Sequence, residues 1–343
     1  MELSLARYRL LFIHPFGTAH GLRDGTDTVF VRLTHGCITG YGEATLPPYL
    51  EITQQSVFEE LKDFNLDHLQ YLENGVEPGL SAPARAALST AYYDLMSKDL
   101  GRSASSLIVG LPNTGCDAPT MVTLGHSLLN HISLKLSEMP RSSCLKVKLG
   151  SLADKATLKA VKELDQRPLF LDANQGWTSV VQALDAIAIA GEADVVGLEQ
   201  PFAKERWDLH AELRNVTAVP IYGDESIQGV ADLERATEAF DGVNLKLMKC
   251  GGLDSAAAMA KRARELGLKV MLGSMSESSL GCGAMAQLAG SADLLDLDGP
   301  WLIKNDPFQG LRMEDGRLLI EGTTGVGIEL RSGAQLNWIH IGA

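Results

Sequence analysis

The stretch CLKVKLG, residues 144–150, reads as a strand in which Cys144, Leu145, Val147 and Leu149 are apolar and two lysines are interposed. Side chains in a strand alternate faces with period 2, so Lys146 and Lys148 point the same way. Lysine is almost never fully buried without a partner. An internal strand that sends two ammonium groups in one direction therefore needs anions on that side. Working outward, runs of the same kind recur: TMVTLG before it, then PLFLDAN, VVGLEQP, PIYGDES, GVNLKLM, KVMLGSM and LLDLDGP. Matching points lie about 20 to 30 residues apart, the length of one βα unit. Helical periodicity fills the gaps. Val180, Leu184 and Ile187 share a face behind a Thr178/Ser179 cap, and SAAAMAKRARELG is rich in helix formers and stops at Gly267. Eight parallel strands in about 180 residues predict an α/β fold closed as a (β/α) barrel. An open doubly wound sheet would want a Gly-rich phosphate turn after its first strand, and TLGHSLL is not one.

The residues before about 115 read as a mixed α+β unit. TVFVRLTHGCITGYGEA alternates around a glycine turn, as a hairpin would, and ARAALSTAYYDLMSKDLG places Leu88, Tyr92, Leu95 and Met96 at helical spacing before Gly101. GLPNTGCDAP reads as a linker. From about Asn305 the barrel rhythm is lost, and the tail is expected to return to the N-terminal unit. The expected domains are thus a cap over 1–115, joined by 305–343, and a barrel over 119–304.

A chain of 343 residues with 45% apolar and 21% charged residues is ordinary for a soluble globular protein. The formal charge of −13 speaks against nucleic acid and anionic membrane as partners, and no apolar run reaches the length of a membrane span. MELSLARYRLLFIHPF carries Arg7 and Arg9 and no small-residue cleavage site, which argues against a signal peptide. Five cysteines without a CxxC read as buried thiols in a reducing compartment, so a cytoplasmic location is expected. The oligomeric state stays open, a homo-oligomer included.

In a barrel of this kind the active site lies at the C-terminal ends of the strands. Those ends carry Lys146 and Lys148, Asp172, Glu199, Asp224, Lys246, Ser274, then Asp296 and Asp298. Any one of the acids could simply cap the following helix. Three on consecutive strands, Asp172, Glu199 and Asp224, should converge, and converging carboxylates repel unless a cation sits between them. A ligand set without Cys or His suits Mg²⁺, with Mn²⁺ as a substitute. Lys148 and Lys246 flank that set, so a ligand on the metal would have an amine on each face. A nearby cation and partial burial lower a lysine toward the range of a working base, and Lys146 is such a positive neighbour, one that could also hold a substrate carboxylate. Two amines about a metal-bound carboxylate point to removal of its α-proton and return of a proton on the opposite face, through an enediolate that the cation stabilises. Asn174 and Glu225 stand where they could orient the ligands. Glu277 reads equally well as lining the seventh strand's end or as a helix cap.

The ordered set KVK, DANQGW, LEQP, DES and NLKLMKCGG resembles the enolase superfamily in its muconate-lactonizing subgroup, and YGEA and ALSTAYYDLMSKDLG resemble its capping domain. The resemblance implies a (β/α)₇β barrel with an α+β cap built from both termini. It also implies Mg²⁺ held by Asp172, Glu199 and Asp224, and Lys148 and Lys246 as the acid/base pair. DLDGP narrows the activity: dipeptide epimerases of the subgroup carry a D-x-D pair on the eighth strand for the substrate's ammonium group, and Asp296 and Asp298 match it. The segment FGTAHGLRDGTDT, 16–28, is expected to be a mobile part of the cap that closes on substrate, with Arg23 near the place where members acting on Ala-Glu carry an arginine for the side-chain carboxylate. A dipeptide is the implied substrate. N-acylamino acid racemase, o-succinylbenzoate synthase and cycloisomerase share the lysines, and the D-x-D pair tells against them. A Schiff-base aldolase would leave three carboxylates idle, and a non-catalytic binding barrel would need neither base.

Overall fold

The computed structural model describes residues 1–18, 21–47, 50–69, 72, 79–108 and 118–342. Strands β1 (Glu2–Thr18), β2 (Gly21–His35) and β3 (Ile38–Leu46) form an antiparallel meander. The hairpin expected in TVFVRLTHGCITGYGEA is β2–β3, turning at Gly36 with a φ of 61°. Alternation along β2 is muted, because Val29, Phe30, Val31 and Leu33 are all buried. Both faces of the meander are covered. On one lies the helix Ala82–Asp99, so close that a Cβ on Gly42 would fall 1.9 Å from the Ala87 carbonyl oxygen. Against Phe30 and Tyr41 pack the Phe308 and Trp338 rings of the returning tail. The helix itself departs from the single apolar face expected of it. It is buried almost all round, because Arg85 on it also pairs with Asp254 of the barrel helix Leu253–Glu265 at 2.6 Å.

GLPNTGCDAP lies outside the described residues except for β4 (Ala118–Pro119). Beyond it come β5 (Met121–Leu124), β6 (Cys144–Lys148), β7 (Leu169–Asp172), β8 (Val195–Glu199), β9 (Ile221–Gly223), β10 (Gly242–Leu245), β11 (Lys269–Gly273) and β12 (Leu294–Asp296). They pair in parallel and in chain order, and Thr120 bridges to Leu295 to close the ring. A helix follows each of β5 to β11. One of them, Val180–Ala190, starts on the expected Ser179 cap, completed by Gln182. Only the single turn Gly299–Leu302 follows β12, which makes the barrel (β/α)₇β.

The tail divides its allegiance. β13 (Phe308–Gln309) pairs with β16 (Glu329–Leu330), and β17 (Ile339–Ile341) joins β1 in the cap. Between them β14 (Leu311–Glu314) and β15 (Arg317–Ile320) form a hairpin that pairs with β4 at the foot of the barrel rather than with the cap. Of the cysteines, Cys144 and Cys282 are buried as expected, but Cys37 is exposed at the β2–β3 turn. Among the described residues no helix is long and apolar enough to cross a membrane.

Inside the barrel the inward positions are layered. Met121, Cys144, Phe170, Tyr222 and Met271 form a small apolar cluster of their own, with Phe170 and Tyr222 centred 5.5 Å apart. Two residues further along β6 and β7, on the same inward face, come Lys146 and Asp172. The apolar floor thus lies beneath a charged storey.

Candidate active site

Period 2 makes Cys144, Lys146 and Lys148 the inward residues of β6, and the register sets Lys148 beside Asp172 and Asp172 beside Glu199. Asp224 and Lys246 stand one residue beyond β9 and β10, so the charged groups meet at the C-terminal edge. Lys146, 1% exposed, sends its Nζ to Glu199 at 2.6 Å, Asp296 at 2.6 Å and Asp172 at 2.9 Å. Lys148 reaches Asp172 at 2.6 Å, and Lys246 reaches Asp224 at 2.6 Å. The two lysines that point one way are therefore both paired.

The charges set the protonation. Burial by itself would lower Lys146, but Asp172, Asp296 and Glu199 raise it well above the usual lysine value. Burial would likewise raise Asp172, yet Lys146 and Lys148 bring it down to about 2. Lys246 and Lys249 hold Asp224 well below the usual carboxylate value against the same burial. Glu199 goes the other way, to about 8, through burial and then the charge of Asp172. Glu225 is pushed up to about 7 by burial and by Asp224 and Asp172. A cation among these groups would relieve the repulsion that raises the two glutamates.

The donor set fits a hard divalent ion: three buried carboxylates from consecutive strands, with no thiolate or imidazole among them. Their oxygens lie against lysines, however, and among the described residues no three acidic, His or Cys side chains stand in ligating positions about one point. Asn174 lies beside the set. Its backbone N–H donates to Asp172 at 3.0 Å and its side chain to Glu225 at 3.4 Å, leaving Asn174 Oδ1 and Glu225 Oε2 buried without a hydrogen-bond partner.

Three neighbours escaped the sequence reading. Asn244, inward on β10, donates to Glu199 at 2.8 Å. It stands two residues before Lys246, and the alternation that exposed KVK could have found it. Lys249 donates to the Asp224 carboxylate at 2.6 Å and to its backbone oxygen at 2.7 Å. It is brought there by the one-turn helix Leu247–Cys250, whose existence the strand pattern hid. Gln200, with a positive φ of 38°, accepts from the backbone N–H groups of Asp224 at 2.9 Å and Ser226 at 3.1 Å.

His210 stands behind Gln200. Its Nδ1–H donates to the Arg206 carbonyl at 2.8 Å, so Nε2 accepts from the Gln200 amide at 3.3 Å. Burial pushes its pKa down to about 4. Because this lies below the unfolded value of about 6.5, its contribution to stability is complete above that pH and is lost as pH falls toward about 4. We expect the wild type to lose about 3 kcal/mol more stability over that window than His210→Gln. Urea unfolding near pH 7 and near pH 4 measures the difference, and equal losses would assign the effect to other groups.

Lys148, Lys246, Asn174, Ser274, Asp296 and Asp298 all line one cavity. Arg23 and Phe16 complete its cap side. The described part of segment 16–28 is the end of the β1–β2 hairpin, with Phe16 opposite Arg23, rather than a loop. Gly17 lets the hairpin touch the barrel rim, since a Cβ there would fall 2.6 Å from His126 Cβ. Asp296 and Asp298 do not continue one strand. Asp298 lies past the end of β12 and accepts the Thr123 backbone N–H, while Asp296 is held by Lys146. Burial and the charge of Asp296 push Asp298 up to about 7. Glu277 is outside the cavity walls and folds back on the Met275 N–H, and Ser278 is the cap of the helix Ser279–Ala286.

The chain is similar to known proteins over nearly its whole length. The family model for enolase C-terminal domain-like proteins matches residues 137–334. An L-Ala-D/L-Glu epimerase of Bacteroides thetaiotaomicron is 36% identical, covering 96% of this chain and 88% of its own. A hydrophobic dipeptide epimerase of Roseobacter litoralis is 32% identical, covering 88% and 91%. Among solved structures, a dipeptide epimerase of Enterococcus faecalis, complexed with Mg and L-Leu-L-Tyr, superposes with a TM-score of 0.85 at 25% identity, covering 95% of this chain and 98% of its own. With the barrel, the cap and these matches in agreement, the chain belongs to the enolase superfamily, in its muconate-lactonizing subgroup, and is an isomerase.

Proposed function

We propose that the protein is a Mg²⁺-dependent dipeptide epimerase, with Mn²⁺ able to replace Mg²⁺, that inverts the α-carbon of the C-terminal residue. The observation that carries this reading is one cavity with Lys148 and Lys246 on its walls and the carboxylate pair Asp296 and Asp298 beside them. The names of the similar proteins support the substrate class. A divalent cation held by Asp172, Glu199 and Asp224 would supply positive charge to the substrate carboxylate as negative charge develops on it. One lysine, in its amine form, takes the α-proton, and the C–H electron pair moves toward the carboxylate. The other, in its ammonium form, delivers a proton to the opposite face of the same carbon. Lys146, fixed in its charged form by three carboxylates, is a static cation beside them and takes no part in proton transfer. Asp298 and Asp296 receive the substrate ammonium, and Arg23 would face an acidic side chain on the C-terminal residue.

The ammonium contact separates this activity from racemisation of N-acylamino acids. Asp298→Asn should cost about 2–5 kcal/mol in kcat/KM, since it leaves a desolvated charge short of its partner. N-acetylating the dipeptide should be comparably damaging, with kcat falling as well as KM rising because the contact also aligns the α-carbon. An N-acetylated dipeptide turned over as fast as the free one would make the protein an acylamino acid racemase instead.

A further inference from the structure

A second cavity adjoins the catalytic one and shares Phe16, Thr123, Asp298 and Leu302 with it. Its remaining walls are largely apolar: Ile13 from β1, Val122 from β5, and the half-buried Met139 and Trp301. Its charged groups are His14 and Glu138, which are substantially exposed and pair with each other, and the half-buried Lys135, whose Nζ donates to the Pro15 carbonyl at 3.5 Å. Asp298 stands at the junction, buried, with one carboxylate oxygen fixed by the Thr123 N–H.

Resting on the dipeptide reading, we propose that this second cavity receives the side chain of the substrate's N-terminal residue and selects a large apolar one, such as leucine, methionine or phenylalanine. An ammonium held at Asp298 puts the N-terminal α-carbon one bond away, at the mouth shared by the two cavities. One more bond carries the side chain off the peptide, and the space beside Asp298 that is not the catalytic cavity is this apolar one. Alanine would leave it unfilled. A carboxylate or ammonium side chain would be desolvated against Ile13, Val122 and Trp301, with its charged neighbours already engaged, Lys135 at the Pro15 carbonyl and Glu138 with His14, which is costly. Leucine or phenylalanine removes apolar surface from water on both sides.

The test uses the full chain with Mg²⁺ in D₂O and follows deuterium entry at the C-terminal α-carbon of L-Leu-L-Xaa, L-Ala-L-Xaa and L-Asp-L-Xaa with one common Xaa. The expected result is kcat/KM about 10- to 100-fold higher for leucine than for alanine, with aspartate below both. Met139→Trp, which fills the cavity from a half-buried position, should bring the leucine-to-alanine ratio toward one. Calorimetric binding of L-Leu-Gly against L-Ala-Gly, neither of which has a centre to invert, should show the same order in the wild type and lose it in the variant. Exchange that is as fast with alanine as with leucine overturns the inference and leaves the dipeptide reading standing. A leucine preference that Met139→Trp does not change also overturns it, because the side chain then sits elsewhere. No exchange with any dipeptide overturns the dipeptide reading and this inference together.

Discussion

Lys148→Ala and Lys246→Ala should each abolish inversion, by at least about 10³-fold, while each retains exchange of the α-proton in one epimer only. Inversion needs a base on one face of the carbon and an acid on the other. With one lysine gone, the remaining amine can still take a proton from the epimer that presents it and return one to the same face. The two variants should therefore label opposite epimers. Each lysine also neutralises a buried carboxylate, Lys148 at Asp172 and Lys246 at Asp224, so alanine could act through misplaced acids. Lys148→Arg and Lys246→Arg separate the effects, since arginine keeps the positive charge and cannot serve as a base at neutral pH. Both should be as inactive in inversion as the alanine variants. Either alanine variant epimerising at more than about a tenth of the wild-type rate would remove that lysine from proton transfer.

Asp224→Asn should lower kcat/KM by at least about 10³-fold and abolish calorimetric Mg²⁺ binding, with the fold retained. Asp224 is held by the structure through both its carboxylate and its backbone. It faces Lys246 and Lys249, its backbone oxygen takes a further bond from Lys249, and Gln200 holds its N–H. Asparagine preserves the shape and the backbone contacts but removes one of the three charges offered to the cation. It also leaves Lys249 buried with backbone oxygens and an amide in place of its carboxylate. Near-normal activity in Asp224→Asn, or full activity in excess chelator, would contradict the assignment of the trio.

The barrel was legible because its inward faces are chemically layered. Apolar residues below and charged residues above, both at period 2, leave a trace in CLKVKLG and in the runs that end at Asp172, Glu199 and Asp296. Asp224 and Lys246 were readable from the same rhythm although they lie just past their strands. What stayed hidden needs geometry that no strand or helix period encodes. Lys249 reaches Asp224 through a single helical turn, and Gln200 through a left-handed backbone conformation. The β14–β15 hairpin depends on pairing with β4, and sequence spacing carries no record of so distant a partner. The helix Ala82–Asp99 was legible as a helix, but its burial on all sides follows from lying between cap and barrel. The D-x-D pair was legible as two acids close together. Their divergence, one toward Lys146 and one toward Thr123, comes from the chain leaving β12 between them.

The most direct measurement follows the C-terminal α-proton of an L,L-dipeptide by proton NMR in D₂O, with wild-type protein and Mg²⁺. The expected result is loss of the α-proton signal together with growth of the L,D diastereomer to equilibrium, and neither change when chelator replaces Mg²⁺. Unchanged L,L-dipeptides, with the α-proton retained across apolar and acidic side chains, would contradict dipeptide epimerisation.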